Sequence, residues 1–305
     1  MFVPSGEQFE ISAGEHRATV VEVGAAVREY AVAGRDVLDP FPLDKLSDGG
    51  HGQVLIPWPN RLEDGQYEFD GEQRQVDLSE PPKHNAIHGL LRWRPWRAAR
   101  HEGPRVVLAA TLMPMPGYPH RLECTVNYAL DADAGLTVTT TIENAGDGPC
   151  PVGTGQHPYL SAGPGAKVDD CELQLRAATR IDTDDERQLP KGRVPVAGSE
   201  YDFREPRRIG AVEVDYAYCD LDRDGDGRAW TTLRGPDGAT AALWVDEAYP
   251  YVELYTGDTL APDRRRLGLG CEPMTCPPNA LRSGEDVVRL APGERLTCRW
   301  GATLT

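Results

Sequence analysis

Basic residues, closely spaced cysteines and long apolar runs are all scarce in this chain, and each scarcity closes off a class of function. Against 48 acidic residues stand 32 Lys and Arg, a formal net charge of −16 over 305 residues. So large a negative excess argues against a phosphate-backbone partner and against an anionic membrane surface. Only four of the cations are lysines (Lys45, Lys83, Lys167, Lys191), so arginine carries the positive charge. The seven cysteines, at 124, 150, 171, 219, 271, 276 and 298, include no CxxC pair and have no partnered His pair. That pattern suggests neither a zinc site nor a disulfide framework. Reduced thiols in a cytoplasmic protein are the simplest expectation. No stretch reaches the roughly 18 apolar residues that span a membrane. The opening segment MFVPSGEQFE has no basic region followed by an apolar run, so no signal peptide is expected.

Helical patterning is missing too: no window carries a 3.6-residue apolar stripe longer than about two turns. What is present reads as strands. Leu122, Cys124, Val126, Tyr128 and Leu130 alternate with polar residues, as do Leu136, Val138, Thr140 and Ile142, with a turn at Asp131–Gly135. That is a β-hairpin with one buried face. Asp70-Gly71 marks a second hairpin after Tyr67. Gly235–Gly238 separates Trp230–Leu233 from Ala241–Val245, and Pro292-Gly293 separates Val287–Leu290 from Leu296–Trp300 in the same manner. Val106–Leu112 and Val252–Thr256 add strands. The 26 prolines and 32 glycines fall between many short strands, which fits an all-β sandwich or barrel. No repeat, low-complexity tract or long linker divides the chain, so one domain over 1–305 is expected.

Several segments bring reactive side chains together with small or rigid residues. In GLGCEPMTCPPNA, 268–280, Glu272 sits among glycines and prolines. Pro273, Pro277 and Pro278 remove donors and fix φ, so the segment reads as an ordered loop and not as a central strand. A surface Glu beside a turn fits as well. Arg61 follows PWPN and offers a planar donor fork to hydroxyl or carboxylate groups. His88 precedes Gly89, with Trp93 and Trp96 behind it, and His157 stands in GTGQHPYL before Pro158-Tyr159. Histidine is the side chain best suited to exchange protons near neutrality, and neighbouring aromatics suit the C–H faces of sugars. Asp215 interrupts the strand-like run VEVDYAYCDL. The acidic stretch Asp220–Gly227 lacks the twelfth-position Glu of an EF-hand loop and reads as an exposed turn.

The order Asn60-Arg61, His88-Gly89, His157-Pro158-Tyr159, Asp215, Glu272 resembles the aldose 1-epimerase (galactose mutarotase) family over nearly the whole chain. GCEPMTCPPNAL looks like one bacterial branch of it. The resemblance implies a large twisted antiparallel β-sandwich with an open cleft. It also implies that Glu272 is a general base, that His157 is a general acid, and that Arg61, His88 and Asp215 hold sugar hydroxyls, with Asp246 a rival to Asp215. The acid and base are expected on opposite sides of the sugar's reacting edge, with pKa values held apart so that one is charged and one protonated. No metal or organic cofactor is implied, because the chemistry moves protons only. The expected partner is a small-molecule sugar, with no nucleic acid and no membrane, and the chain is expected to be a monomer or weak homodimer. Two alternatives stay open: a sugar-binding protein without turnover, and an enzyme acting on a phosphorylated or sulfonated sugar, for which Arg92, Arg94 and Arg97 supply candidate cations. A glycosidase would need a second carboxylate paired with Glu272, and none is evident in the sequence.

Overall fold

A computed structural model describes residues 2–305. It is built almost wholly of β-strands, with one four-residue α-helix at Ala280–Ser283 and two short 3-10 turns. Two large sheets, of twelve and nine strands, dominate, and the strand pairings within them are antiparallel. They pack face to face over one buried apolar cluster that draws on both, as the all-β sandwich reading requires.

The nine-stranded sheet shows most plainly how the sequence produces the fold. Leu122–Asp131 pairs with Gly135–Asn144 through a turn at Asp131. On the first strand Leu122, Cys124, Val126, Tyr128 and Leu130 are all buried while their neighbours are not. A buried side chain of Val or Leu size contributes about 1.5–3 kcal/mol, so a one-residue slip of either strand forfeits several such terms at once. Ala229–Arg234 and Thr240–Val245 form the expected hairpin, as do Gln66–Phe69 and Glu72–Gln75. The segments flanking Pro292-Gly293 are strands but not partners. Val288–Leu290 pairs with Cys150–Val152, whereas Arg295–Leu304 pairs with Gly135–Asn144 and Thr240–Val245. The Pro-Gly turn redirects the chain into the large sheet instead of folding it back. The acidic Asp220–Gly227 stretch is an exposed crossover from a strand of one sheet to a strand of the other. All seven cysteines are free and buried. Among the described residues no helix is long and apolar enough to cross a membrane.

In the twelve-stranded sheet the central run of strands is Tyr159–Ser161, Gly268–Met274, Tyr251–Tyr255 and Asp215–Leu221. This corrects the expectation of a loop around Glu272, which lies on a central strand buried throughout. Pro273 is tolerated there for a local reason. The backbone N–H groups of Cys271 and Thr275 donate to Pro158 and Thr154. Strand alternation turns the missing Pro273 donor to the same side, where the neighbouring strand is broken between Gly155–Gln156 and Tyr159–Ser161. No ladder bond is lost, because that break offers no regular partner.

The break also carries a polar bridge between the sheets. The indole N–H of Trp300 donates to the Gln156 side-chain carbonyl at 2.9 Å. The Gln156 amide donates to Gly52 at 3.0 Å and to the Tyr128 hydroxyl at 2.7 Å. Trp300 and Tyr128 belong to the nine-stranded sheet, and all four groups are buried. A buried amide satisfied in this way is fixed, because each broken bond would leave a desolvated polar group. The next residue in the chain is His157.

Candidate active site

A cleft of about 540 Å³ opens at the interrupted centre of the twelve-stranded sheet, and Arg61, His88, His157, Asp215 and Glu272 all line it. That volume suits a small polar ligand. Two wider hollows of about 880 Å³ lie elsewhere, at Arg176–Asp222 and around Arg94 and Arg97. Their walls are mainly exposed and bring no buried ionisable side chain together.

His157 and Glu272 are in direct contact, Nε2 to Oε1 at 3.1 Å, at 4% and 2% exposure. The His157 ring is clamped: it stacks on Tyr159 with centroids 5.0 Å apart, and Tyr159 stacks on His51 at 3.6 Å. Tyr159 is anchored by donating to the Gly49 carbonyl at 2.7 Å. At Gly50, where φ is +76°, a Cβ would stand 2.7 Å from the imidazole, so the turn needs glycine for the ring to seat. His157 Nδ1 and Glu272 Oε2 are buried with no hydrogen-bond partner among the described residues.

The contact puts the expected acid and base side by side in one hollow. The anomeric oxygen and the ring oxygen share one carbon, so two groups already in contact can each address one of them. Burial pushes the Glu272 carboxyl well above its ordinary value, with Asp215 adding to the rise and Arg61 opposing it. Burial pulls the His157 imidazole well below its ordinary value, helped by the charges of His51 and Arg92. Both shifts favour the uncharged forms, a neutral acid beside a neutral imidazole. The ion pair of carboxylate and imidazolium carries the same proton count and lies one transfer away.

His88 is oriented from behind. The Asn60 backbone N–H donates to its Nδ1 at 3.1 Å, and the His88 backbone N–H donates to the Asn60 backbone carbonyl at 2.9 Å. Since Nδ1 accepts, Nε2 carries the proton and is a donor. Burial, and then Arg92, depress its imidazole, so it stays neutral. Arg61 opens a short strand, Arg61–Glu63, paired with Asn85–Ile87. Its guanidinium grips Glu80 with two donors at 3.0 and 3.1 Å. The rest of the fork, beside Asp215 and Glu253, remains for a ligand. Asp215 starts the Asp215–Leu221 strand and accepts from the Gln188 amide, which is held in turn by Lys83.

All five residues singled out in the sequence converge. Asp246, the alternative to Asp215, sits on the other sheet's side and binds the backbone of Arg299 and Ala248. Of the three arginines after His88, only Arg92 lines the cleft; Arg94 and Arg97 face the second outer hollow. The faces of Tyr159 and Trp96 are not free, since one is stacked between histidines and the other is in the core. Trp93, at the rim and 46% exposed, has the Arg92 guanidinium over one face of its ring at 5.4 Å. Sequence reading missed Glu80, His51 and, above all, Glu253. Glu253 lies directly opposite Glu272 on the adjacent strand, 2% exposed, so Glu272 does have a neighbouring acid. Burial, then Asp215 and Glu272, push the Glu253 carboxyl well above its ordinary value. It stands behind the cleft wall and not in it. The signal was available: an acid interrupts the apolar run Tyr251–Tyr255, the same mark that drew attention to Asp215. The ligating atoms of His88, His157 and Glu272 also lie within 4.8 Å of one another, a set able to take a zinc-like cation.

Comparison with known proteins bears on the family and the fold. The family profile described as aldose 1-epimerase matches residues 7–301. YihR of Escherichia coli K12, described as an uncharacterized protein, is 34% identical over 95% of this chain and 91% of its own. An aldose 1-epimerase of the same strain is 27% identical over 68% of this chain and 64% of its own. Among solved structures, an aldose epimerase homologue from C. elegans superposes with a TM-score of 0.86 at 18% identity, covering 98% of both chains. A galactose 1-epimerase from Lactobacillus acidophilus gives 0.78 at 21%, covering 96% of this chain and 92% of the other.

Proposed function

The chain belongs to the aldose 1-epimerase family, and from that premise we propose that it interconverts the α and β anomers of a free aldohexose in this cleft. The observation that carries the reading is the buried 3.1 Å contact between His157 and Glu272 at the bottom of a sugar-sized cleft. A protein that only bound sugar would have no use for a desolvated acid and imidazole sharing one proton.

Ring opening starts from the ion-pair form of the couple. Glu272, as carboxylate, takes the proton of the anomeric hydroxyl. His157, as imidazolium, gives its proton to the ring oxygen while the bond between that oxygen and C1 breaks. The products are an open-chain aldehyde, a free hydroxyl, a protonated Glu272 and a neutral His157. Burial favours that neutral couple, so desolvation drives the proton transfers in the direction of ring opening. Rotation about the C1–C2 bond presents the other carbonyl face. His157 then takes back the hydroxyl proton, Glu272 returns its own to the carbonyl oxygen, and the other anomer closes. Each positioned acid or base is worth about 10²–10⁴-fold. Arg61, Asp215 and the Nε2–H of His88 orient the hydroxyls, and Arg61 also favours the charged form of Glu272. Glu253 holds no substrate and acts as a positioning residue through Glu272.

Polarimetry on freshly dissolved α-D-glucose and α-D-galactose tests the reading. The protein should bring rotation to equilibrium faster than buffer alone, in proportion to its concentration. Bound sugar with no gain in rate would leave a binding protein.

A further inference from the structure

The cleft uses its cations unequally. Arg61 gives two donors to Glu80, and Lys83 donates to Gln188. Arg92 lines the same cleft, yet among the described residues its guanidinium has no hydrogen bond or ion pair; only its backbone carbonyl is engaged, accepting from the Gln53 amide at 2.8 Å. The guanidinium lies 5.4 Å from the centroid of the Trp93 ring. Partial burial lowers its pKa, and the charge of Glu80 opposes the shift from beyond ion-pair distance. Such a guanidinium is costly to hold unless a ligand completes it.

The position of Arg92 indicates which part of a ligand it meets. Arg92 shares the 88–93 segment with His88, whose ring packs on His157 with centroids 5.3 Å apart, and its charge bears on both imidazoles ahead of that of Arg61. Asp215 instead groups with Arg61, Gln188 and Lys83. In the reaction proposed above, His157 addresses the ring oxygen, whose other bond leads to C5 and so to C6. The C6 substituent falls on the histidine side, toward Arg92.

We propose that Arg92, with Trp93 at the rim, is a subsite for an anionic group on C6 of the sugar, a carboxylate, phosphate or sulfonate, and that the preferred substrates are anionic hexoses. The orientation assumed here rests on the anomer-exchange reading. A guanidinium fork meets two oxygens of such a group at once, and a flat indole face beside it covers the sugar's C–H edge.

The test is a panel of glucose, glucuronate, glucose 6-phosphate and a 6-sulfonated glucose. Anomer exchange is followed by NMR and binding by calorimetry, for the wild type, Arg92→Gln and Arg92→Lys, with matched melting curves as a check on folding. At least one anionic sugar should exceed glucose in kcat/KM by about tenfold or more. Arg92→Gln should cut that preference by about ten- to a hundredfold, and Arg92→Lys should keep part of it. The sugar that loses most identifies the anion. No preference in the wild type, or equal losses for neutral and anionic sugars in Arg92→Gln, overturns the subsite. Exchange of glucose without anionic preference would leave the mutarotase reading standing and the subsite refuted. An anionic sugar that binds through Arg92 but is never exchanged would sustain the subsite and refute that reading.

Discussion

Each large sheet contains one pair of glutamates set directly opposite on neighbouring strands: Glu123 and Glu143 in the nine-stranded sheet, Glu253 and Glu272 in the twelve-stranded one. Like charges in that relation repel, and the two pairs resolve the conflict in opposite ways. At the surface, Arg121 reaches Glu123 at 2.7 Å and Arg295 reaches Glu143 at 2.6 Å. The Thr111 hydroxyl donates to Glu123 at 2.7 Å, and that bond first, then Arg121, holds the Glu123 carboxyl below its ordinary value. At the cleft both acids are buried, Glu272 in its wall and Glu253 behind it, and Arg61, which opposes the shift, also grips Glu80, so both carboxyls move upward. The same residue type at the same register is shifted toward its charged form at Glu123 and toward its protonated form at Glu253 and Glu272. Solvent and counter-ions make the difference.

Breaking the buried pair should have the largest effect. Glu272→Gln keeps the shape but cannot take a proton, and His157→Asn cannot give one. Each is expected to slow anomer exchange by about 10²–10⁴-fold in polarimetry, with sugar still binding. Glu123→Gln, a long way from the cleft, should leave the rate alone. Comparable losses at both pairs would erase the contrast.

A second effect is on stability against pH. An acid whose folded pKa is raised binds its proton more tightly in the folded chain than in the unfolded one. The stability this provides is complete below the ordinary glutamate value of 4.5 and is lost as pH climbs toward the folded value. Glu253→Gln mimics the protonated acid permanently. The wild type should therefore lose stability relative to Glu253→Gln as pH rises from 5 to 9, by at most about 1.4 kcal/mol per pH unit. Urea unfolding of both proteins across that range reads the slope, and parallel curves would mean that Glu253 is not the proton holder.

The smallest effect belongs to the surface pair, where the sign is reversed. The lowered pKa of Glu123 gives stability that is present above 4.5 and lost as pH falls. Its side chain is 37% exposed, so solvent screens the gain. Glu123→Gln should change unfolding free energy at pH 7 by no more than about 0.5 kcal/mol.

The sequence made the sheets legible wherever one face was wet, as in Leu122–Leu130, because period-two alternation marks the buried side. It also supplied the five cleft residues, through short motifs in a fixed order. It was opaque at Gly268–Met274, where burial on both faces removes the alternation and Pro273 argues for a loop. That strand is possible only because a distant strand is broken at His157-Pro158. The partners that set the site's charge were hidden for a related reason. Glu253 beside Glu272, Glu80 under Arg61 and His51 stacked on Tyr159 are all products of long-range pairing, and no local pattern joins their positions. The direct contact of His157 with Glu272 was hidden in the same way, because the sequence presents each side chain alone, whereas the fold buries them as one coupled unit.

The most direct test of that unit is carbon-13 NMR of the glutamate side-chain carboxyls in the intact, sugar-free protein, titrated from pH 3 to pH 9. The account predicts that Glu253 and Glu272 keep the shifts of protonated acids well above pH 4.5 while Glu123 ionises below it. Buried carboxyls that ionise together with Glu123, at or below the ordinary glutamate value, would contradict it.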